Sequence, residues 1–244
     1  MANKRSLLKS SSIDITENIS VMIPTVDEIL EDENFYYDII STITASPFQY
    51  MVQLDDIGID FTTMSDYDLF LMMFNTYSNK DLSLVFGNLD VTDLKVTEYH
   101  EGKFALMNAD RTIVIDELVY NDITNAIRNI HMLEKNKFKP GNEHSRKYLI
   151  DKERKKQKKK KKNNNNEPYL EKLIISLVNT NEFPYTYNTC MDLSIYQFNQ
   201  SFKQIQHKIN FDTTMIGVYA GTVDTSKMTN KDSLSWIQLN NSKN

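Results

Sequence analysis

Cysteine is nearly absent, with Cys190 the single thiol in 244 residues. That excludes an intrachain disulfide and any cysteine-cluster metal site, and nothing in the chain calls for an oxidising compartment. Glycine is scarce, and Gly58, Gly87, Gly102, Gly141, Gly217 and Gly221 stand apart from one another. A phosphate-cradling loop needs clustered glycines so that backbone can approach the ligand, so neither a P-loop nor a dinucleotide fingerprint is present. Gly217 and Gly221 keep a small-xxx-small spacing, which in a chain without a membrane span is a packing feature. No apolar run approaches the roughly 20 residues that cross a bilayer. The stretch from Met1 to Ser12 carries Lys4, Arg5 and Lys9 without the apolar centre of a signal peptide. The expectation is a cytoplasmic protein with no membrane contact.

Local metal-ligand pairs are also missing. His100, His131, His144 and His207 lie far apart and none has a histidine three to five residues on, the spacing that announces a zinc site. Acids are plentiful as neighbours (Asp27 with Glu28, Glu31 to Glu33, Asp55 with Asp56, Asp66 with Asp68). Without a cleft to split their pKa values, these read as helix first turns and solvated faces rather than an acid–base pair. Cys190, near a helix start, reads as a structural thiol. The sequence therefore offers no catalytic, cofactor-binding or metal-binding residue, and the expectation is a protein that is not an enzyme and carries no cofactor.

What is present is core-forming material, 40% hydrophobic and 11% aromatic, and a segregated charge. From Lys152 to Lys162 there are nine basic residues and one acid, Glu153, so this run carries +8 while the rest of the chain carries −13. Four asparagines, Asn163 to Asn166, follow it.

Patterning predicts an α+β protein that is mostly helical. Alternation from Ile13 to Ile23 predicts a strand ending at Pro24. Thr25 with Glu28 has capping-box spacing, and a helical stretch carries Ile29, Tyr36, Ile39, Ile40 and Ile43. Ser46-Pro47 predicts a helix from Pro47 to about Ile57, stopped by Gly58. Ser65 with Asp68 opens a helix with almost no polar face, from Tyr67 to Tyr77, which belongs at a domain centre or an interface. Three short strands then form an antiparallel meander from Leu94 to Ile115, with turns at Glu101-Gly102 and Asn108-Ala109-Asp110. An amphipathic helix carries Val119 to Leu133 and ends by Pro140-Gly141. A polar helix from Asn142 dissolves into the lysine run. Beyond it, stripes at Leu170–Val178 and Ile195–Ile209, a cap at Thr189 with Asp192, a third helix at Met215–Tyr219 and a last turn near Trp236 compose a helical unit. The implied division is a disordered polar tail (1–12), an α+β domain with the meander (13–140), a basic helical or flexible linker (141–167) and a C-terminal helical domain (168–244).

The basic run has three readings. It is a solvated linker, because like charges repel and extend; a handle for an acidic protein surface; or a phosphate-neutralising contact to nucleic acid. No aromatic is interleaved within it, so it has no base-stacking platform and nucleic acid is the weakest of the three. The residues that carry it are Lys155, Lys156, Lys158, Lys159, Lys160, Lys161 and Lys162.

Several phrases carry a resemblance: Leu193–Gln206, Met215–Asp224, Leu234–Trp236, and in the N-terminal half Ile23–Ile29 and Val52–Gly58. Together they resemble tail-module proteins of phages and prophages of low-GC Gram-positive bacteria. The resemblance implies a non-enzymatic tail or baseplate assembly protein that binds other tail proteins, similar to a tail assembly chaperone, with the tape-measure protein as its expected partner. It also implies short and extended products made by ribosomal slippage at an A-rich codon run, for which Lys152 to Asn166 is the place. A minor virion structural protein and a nucleic-acid-binding accessory protein are the alternatives. Such binding needs apolar surface that is covered and uncovered. Tyr67, Phe70, Met73 and Phe74 on the all-apolar helix, with Phe198 and Phe202 on the C-terminal stripe, are the candidates, and plain core is their competing reading.

Overall fold

The computed structural model describes residues 6–100, 102–135, 138–160, 169–229 and 231–237. The first strand prediction resolves into a hairpin, β1 (Ser12–Asp14) and β2 (Ser20–Met22), paired antiparallel with Ile13 opposite Val21. Thr16-Glu17-Asn18 breaks the alternation, and Asn18 N–H donates to Thr16 Oγ1 to form the turn.

Thr25 caps α1 (Val26–Leu30) by a full capping box: Glu28 N–H donates to its hydroxyl oxygen, and Glu28 Oε2 accepts from Thr25 N–H at 2.7 Å. The helix does not run on through Tyr36 as the spacing implies. Asp32 starts a new one, α2 (Glu33–Ile43), by accepting from Phe35 N–H at 3.1 Å. The helix expected from Pro47 is shorter. Residues 47–50 form turns, and α3 spans Met51–Asp56. Ser65 and Asp68 close a second capping box on α4 (Asp66–Met73), which continues as a 3-10 turn at Phe74–Thr76. A short helix that the pattern does not announce, α5 (Ser83–Phe86), follows Asp81, whose carboxylate accepts from Ser83 N–H.

The meander is present: β3 (Lys95–His100), β4 (Lys103–Met107) and β5 (Val114–Ile115) pair in that order, all antiparallel. Gly102 turns β3 into β4, while Glu101 lies outside the described residues. The helix α6 (Glu117–His131) stops at Met132, in the left-handed region at φ 56°, eight residues before Pro140. The basic segment is helical too, as α7 (Glu143–Lys160).

In the C-terminal part, α8 (Tyr169–Val178) leads to α9 (Tyr187–Met191), capped by Thr186 with Thr189 at its third position, so Thr189 is inside the helix rather than its cap. The two helices expected at Ile195–Ile209 and Met215–Tyr219 are one, α10 (Ile195–Tyr219), started by a Ser194–Gln197 capping box. At 25 residues it is about 37 Å long. Gly221, at φ 70°, ends it, and Thr222 and Val223 N–H groups donate back to Gly217 O. A Cβ on Gly217 would lie 2.7 Å from Val223 Cγ2. The small-xxx-small pair therefore admits the chain's own return.

One buried cluster joins both halves. Ile19 and Val21 of the hairpin region, Ile39, Ile40 and Ile43 of α2, Phe70 of α4, and Ile123 and Ile127 of α6 lie in the same cluster as Leu170 and Ile174 of α8 and Ile195 and Phe198 of α10. Backbone crosses the seam as well: Val26 N–H donates to Leu193 O and Ile195 N–H to Pro24 O, at 2.9 and 2.8 Å. A second cluster, with Met51, Leu54, Phe61, Leu69 and Ile150, sits under α3 and α7.

Candidate interaction surfaces

Among the described residues, the basic run lies on a docked helix as far as Lys160. On α7, Arg146, Ile150 and Arg154 recur at four-residue spacing and turn inward. Ile150 is buried in the smaller cluster with Leu149 beside it. Arg146 Nη1 is 2.7 Å from Asp60 Oδ2. The two terminal nitrogens of Arg154 reach Asp56 Oδ1 at 2.6 Å and Asp55 Oδ2 at 2.9 Å. Asp60 is held below the usual carboxylate range, first by the Thr62 backbone N–H, then by the Thr62 hydroxyl and the Arg146 guanidinium. Acids that read as solvated helix faces are thus the seat of the basic helix.

Opposite this seam, Lys152, Lys155, Lys156 and Lys159 project from α7 and are exposed, with Lys158 beside them. Lys156 lies 3.6 Å from Glu153; Lys152, Lys155, Lys158 and Lys159 make no ion pair among the described residues. Lys160 closes the helix, and Lys161 and Lys162, with Asn163 to Asn166, lie outside the described residues.

The apolar candidates occupy the core. Tyr67, Phe70 and Phe74 are buried, and the Tyr67 hydroxyl lies 3.0 Å from Phe104 O and 2.8 Å from Ile115 O, fastening α4 to the meander. The Phe70 ring is 4.6 Å from that of Tyr120. Met73 is half-buried between the two clusters. Phe198 is fully buried, with the Phe183 ring 6.1 Å away, and Phe202 is half-buried against the same core.

An exposed apolar surface lies further along α10. Phe198, Phe202, Ile205, Ile209 and Ile216 share one stripe of α10, but its buried residues end at Ile205. Beyond that point Ile209 is half-exposed, Ile216 is 70% exposed and Tyr219 83%. The C-terminal turn covers part of this stretch: His207 Nε2 is 2.7 Å from Ser235 O, and Gln204 Nε2 donates to Trp236 O. Trp236 and Ile237 remain exposed beside it. The sequence held the signal, since the stripe continues past Ile209 at seven-residue spacing.

Asp66 pairs with Lys135 at 2.9 Å, beside a cleft of about 350 Å³ lined by Phe48, Phe61 and Tyr67. Cys190 is buried in α9 and its thiol pKa is pushed up by burial. No group of three or more His, Cys, Asp or Glu among the described residues is placed to hold a metal ion. No described helix is long and apolar enough to cross a membrane.

Residues 157–239, about a third of the chain, match the family model described as the YomV second domain, a phage-associated family. The match runs from the last turn of α7 through α8, α9 and α10 to the C-terminal turn. No curated protein and no solved structure matches the chain.

Proposed function

We propose that the protein is a non-enzymatic phage tail or virion assembly factor that acts by binding other tail proteins, in the manner of a tail assembly chaperone with the tape-measure protein as client. The match over residues 157–239 carries this reading. The same segment holds the exposed distal half of α10, where Ile209, Ile216 and Tyr219 continue the core stripe into solvent. Apolar surface of that kind is what a protein needs in order to cover a partner's apolar surface before assembly. The buried aromatics Tyr67, Phe70, Phe74 and Phe198 serve by holding the platform from which α10 extends.

The experiment is affinity capture of the tagged chain from infected or induced cells, beside an Ile216→Asp/Tyr219→Ser variant. Both positions are exposed, so the variant keeps its fold. The expected result is a tail protein recovered with the parent chain and lost with the variant; recovery of no tail protein with either overturns the proposal. Mass spectrometry of purified particles then separates an assembly factor, absent from the particle, from a minor virion protein, present in it.

A further inference from the structure

A cleft of about 520 Å³ opens where the start of α2 meets α8 and α9. Four carboxylates line it, Glu31, Asp32, Glu33 and Glu171, with Ile175 and Tyr187 on the wall and no lysine or arginine in the lining. Glu33 is only 8% exposed. Its Oε1 accepts from the amides of Tyr169 and Leu170, both at 2.8 Å, while its buried Oε2 has no hydrogen-bond partner. Glu31 and Glu171 are exposed and enter no ion pair among the described residues. A buried carboxylate with an unpartnered oxygen is costly, and a cation brought close offsets that cost. Clustered like charge over low-dielectric walls also concentrates the field within the cleft. The cleft is therefore built for a positively charged group with an apolar stem.

The chain itself displays such groups on the outward face of α7, where Lys152, Lys155, Lys158 and Lys159 are exposed and unpaired among the described residues. We propose that the acidic cleft receives lysines of α7 from a second copy of the chain. A lysine stem lies along Ile175 and Tyr187 while its ammonium reaches the carboxylates. Because the contact joins two different surfaces, each new copy leaves one cleft and one helix free, and the association propagates head to tail. The inference rests on the cleft and the helix, independently of the tail-assembly reading.

The test is sedimentation of the full chain, nuclease-treated, at about 20 mM and about 500 mM salt, since a contact between exposed charges is screened as ionic strength rises. At low salt the average mass is expected to climb with concentration above the 28.5 kDa of one chain, and at high salt to return to it. Glu31→Lys/Glu171→Lys and Lys155→Glu/Lys159→Glu, all at exposed positions, should each give a monomer. Mixed together, the first variant supplies an intact helix and the second an intact cleft, so the mixture should stop at a one-to-one pair. A monomer at every concentration in low salt, association unaltered in either variant, or a mixture that stays monomeric would each overturn the proposal. So would low-salt association seen only in a parallel sample left without nuclease, which would make nucleic acid the tie.

Discussion

His131 ends α6 with its Nε2 2.9 Å from the Tyr36 hydroxyl, and the rings of Tyr36 and Tyr37 stand 5.6 and 6.1 Å from its own. Burial pushes its pKa down to about 4 from an ordinary 6.5. The folded protein therefore holds the imidazole neutral where the unfolded chain already binds a proton. Stability contributed by the neutral form is complete above pH 6.5, falls as pH drops through the window from 6.5 to about 4, and levels below it. The loss amounts to about 3 kcal/mol. Urea unfolding across that window should show this slope in the parent and a flatter one in His131→Gln, which isolates the imidazole from the carboxylates. An amphipathic helix with a histidine near its end was readable from residues 119–133. The closure of two tyrosines over it was not, because they arrive from a helix 95 positions earlier.

Glu33 poses a related test at the same scale. A side chain in the first turn of α2 caps the start of α8, 136 residues away, through Oε1. Glu33→Ala strips two helix amides of their acceptor and should cost about 1–2 kcal/mol. Glu33→Gln keeps an acceptor and removes the buried charge, so it should cost less. Amide exchange at Tyr169 and Leu170 separates the two variants, with protection lost in the first and retained in the second. Sequence placed Glu33 only within an acidic triplet, since nothing local distinguishes a carboxylate facing water from one facing a distant helix end.

Elements divide by how local their determinants are. The boxes at Thr25–Glu28 and Ser65–Asp68 each span four residues, so those helix starts were legible. The break between α1 and α2, the fusion of the C-terminal helices and the hairpin within the first alternating stretch depend on where chain neighbours pack. The basic helix is the instructive case. Read alone, Lys152 to Lys162 repels itself and should extend, yet Ile150 and Arg154 dock the helix on α3 and the repulsion is spread over an outward face. Ile150→Ala should cost about 2–4 kcal/mol by opening the smaller core. Arg154→Ala leaves that core intact and frees the helix beyond it, so amide exchange from Asp151 to Lys159 should accelerate while Met51 to Leu54 stay protected.

At the scale of the whole molecule, the N-terminal and C-terminal parts share a buried core. The sequence separates an N-terminal α+β part from a C-terminal helical part, and both meet in a single buried cluster, with Phe198 of α10 fully enclosed and Ile127 of α6 in the same body. Backbone bonds at Pro24–Ile195 and Val26–Leu193 lie directly over that cluster. A cavity at Phe198 is therefore felt on both sides of the seam. Phe198→Ala should cost about 3–5 kcal/mol, and native-state exchange should show amides of α6 and α8 losing protection by the same amount. Ile216→Ala, whose side chain stands in solvent, should leave both unchanged. Loss of protection confined to α8, α9 and α10 in Phe198→Ala would mean that the two parts unfold separately despite their common core.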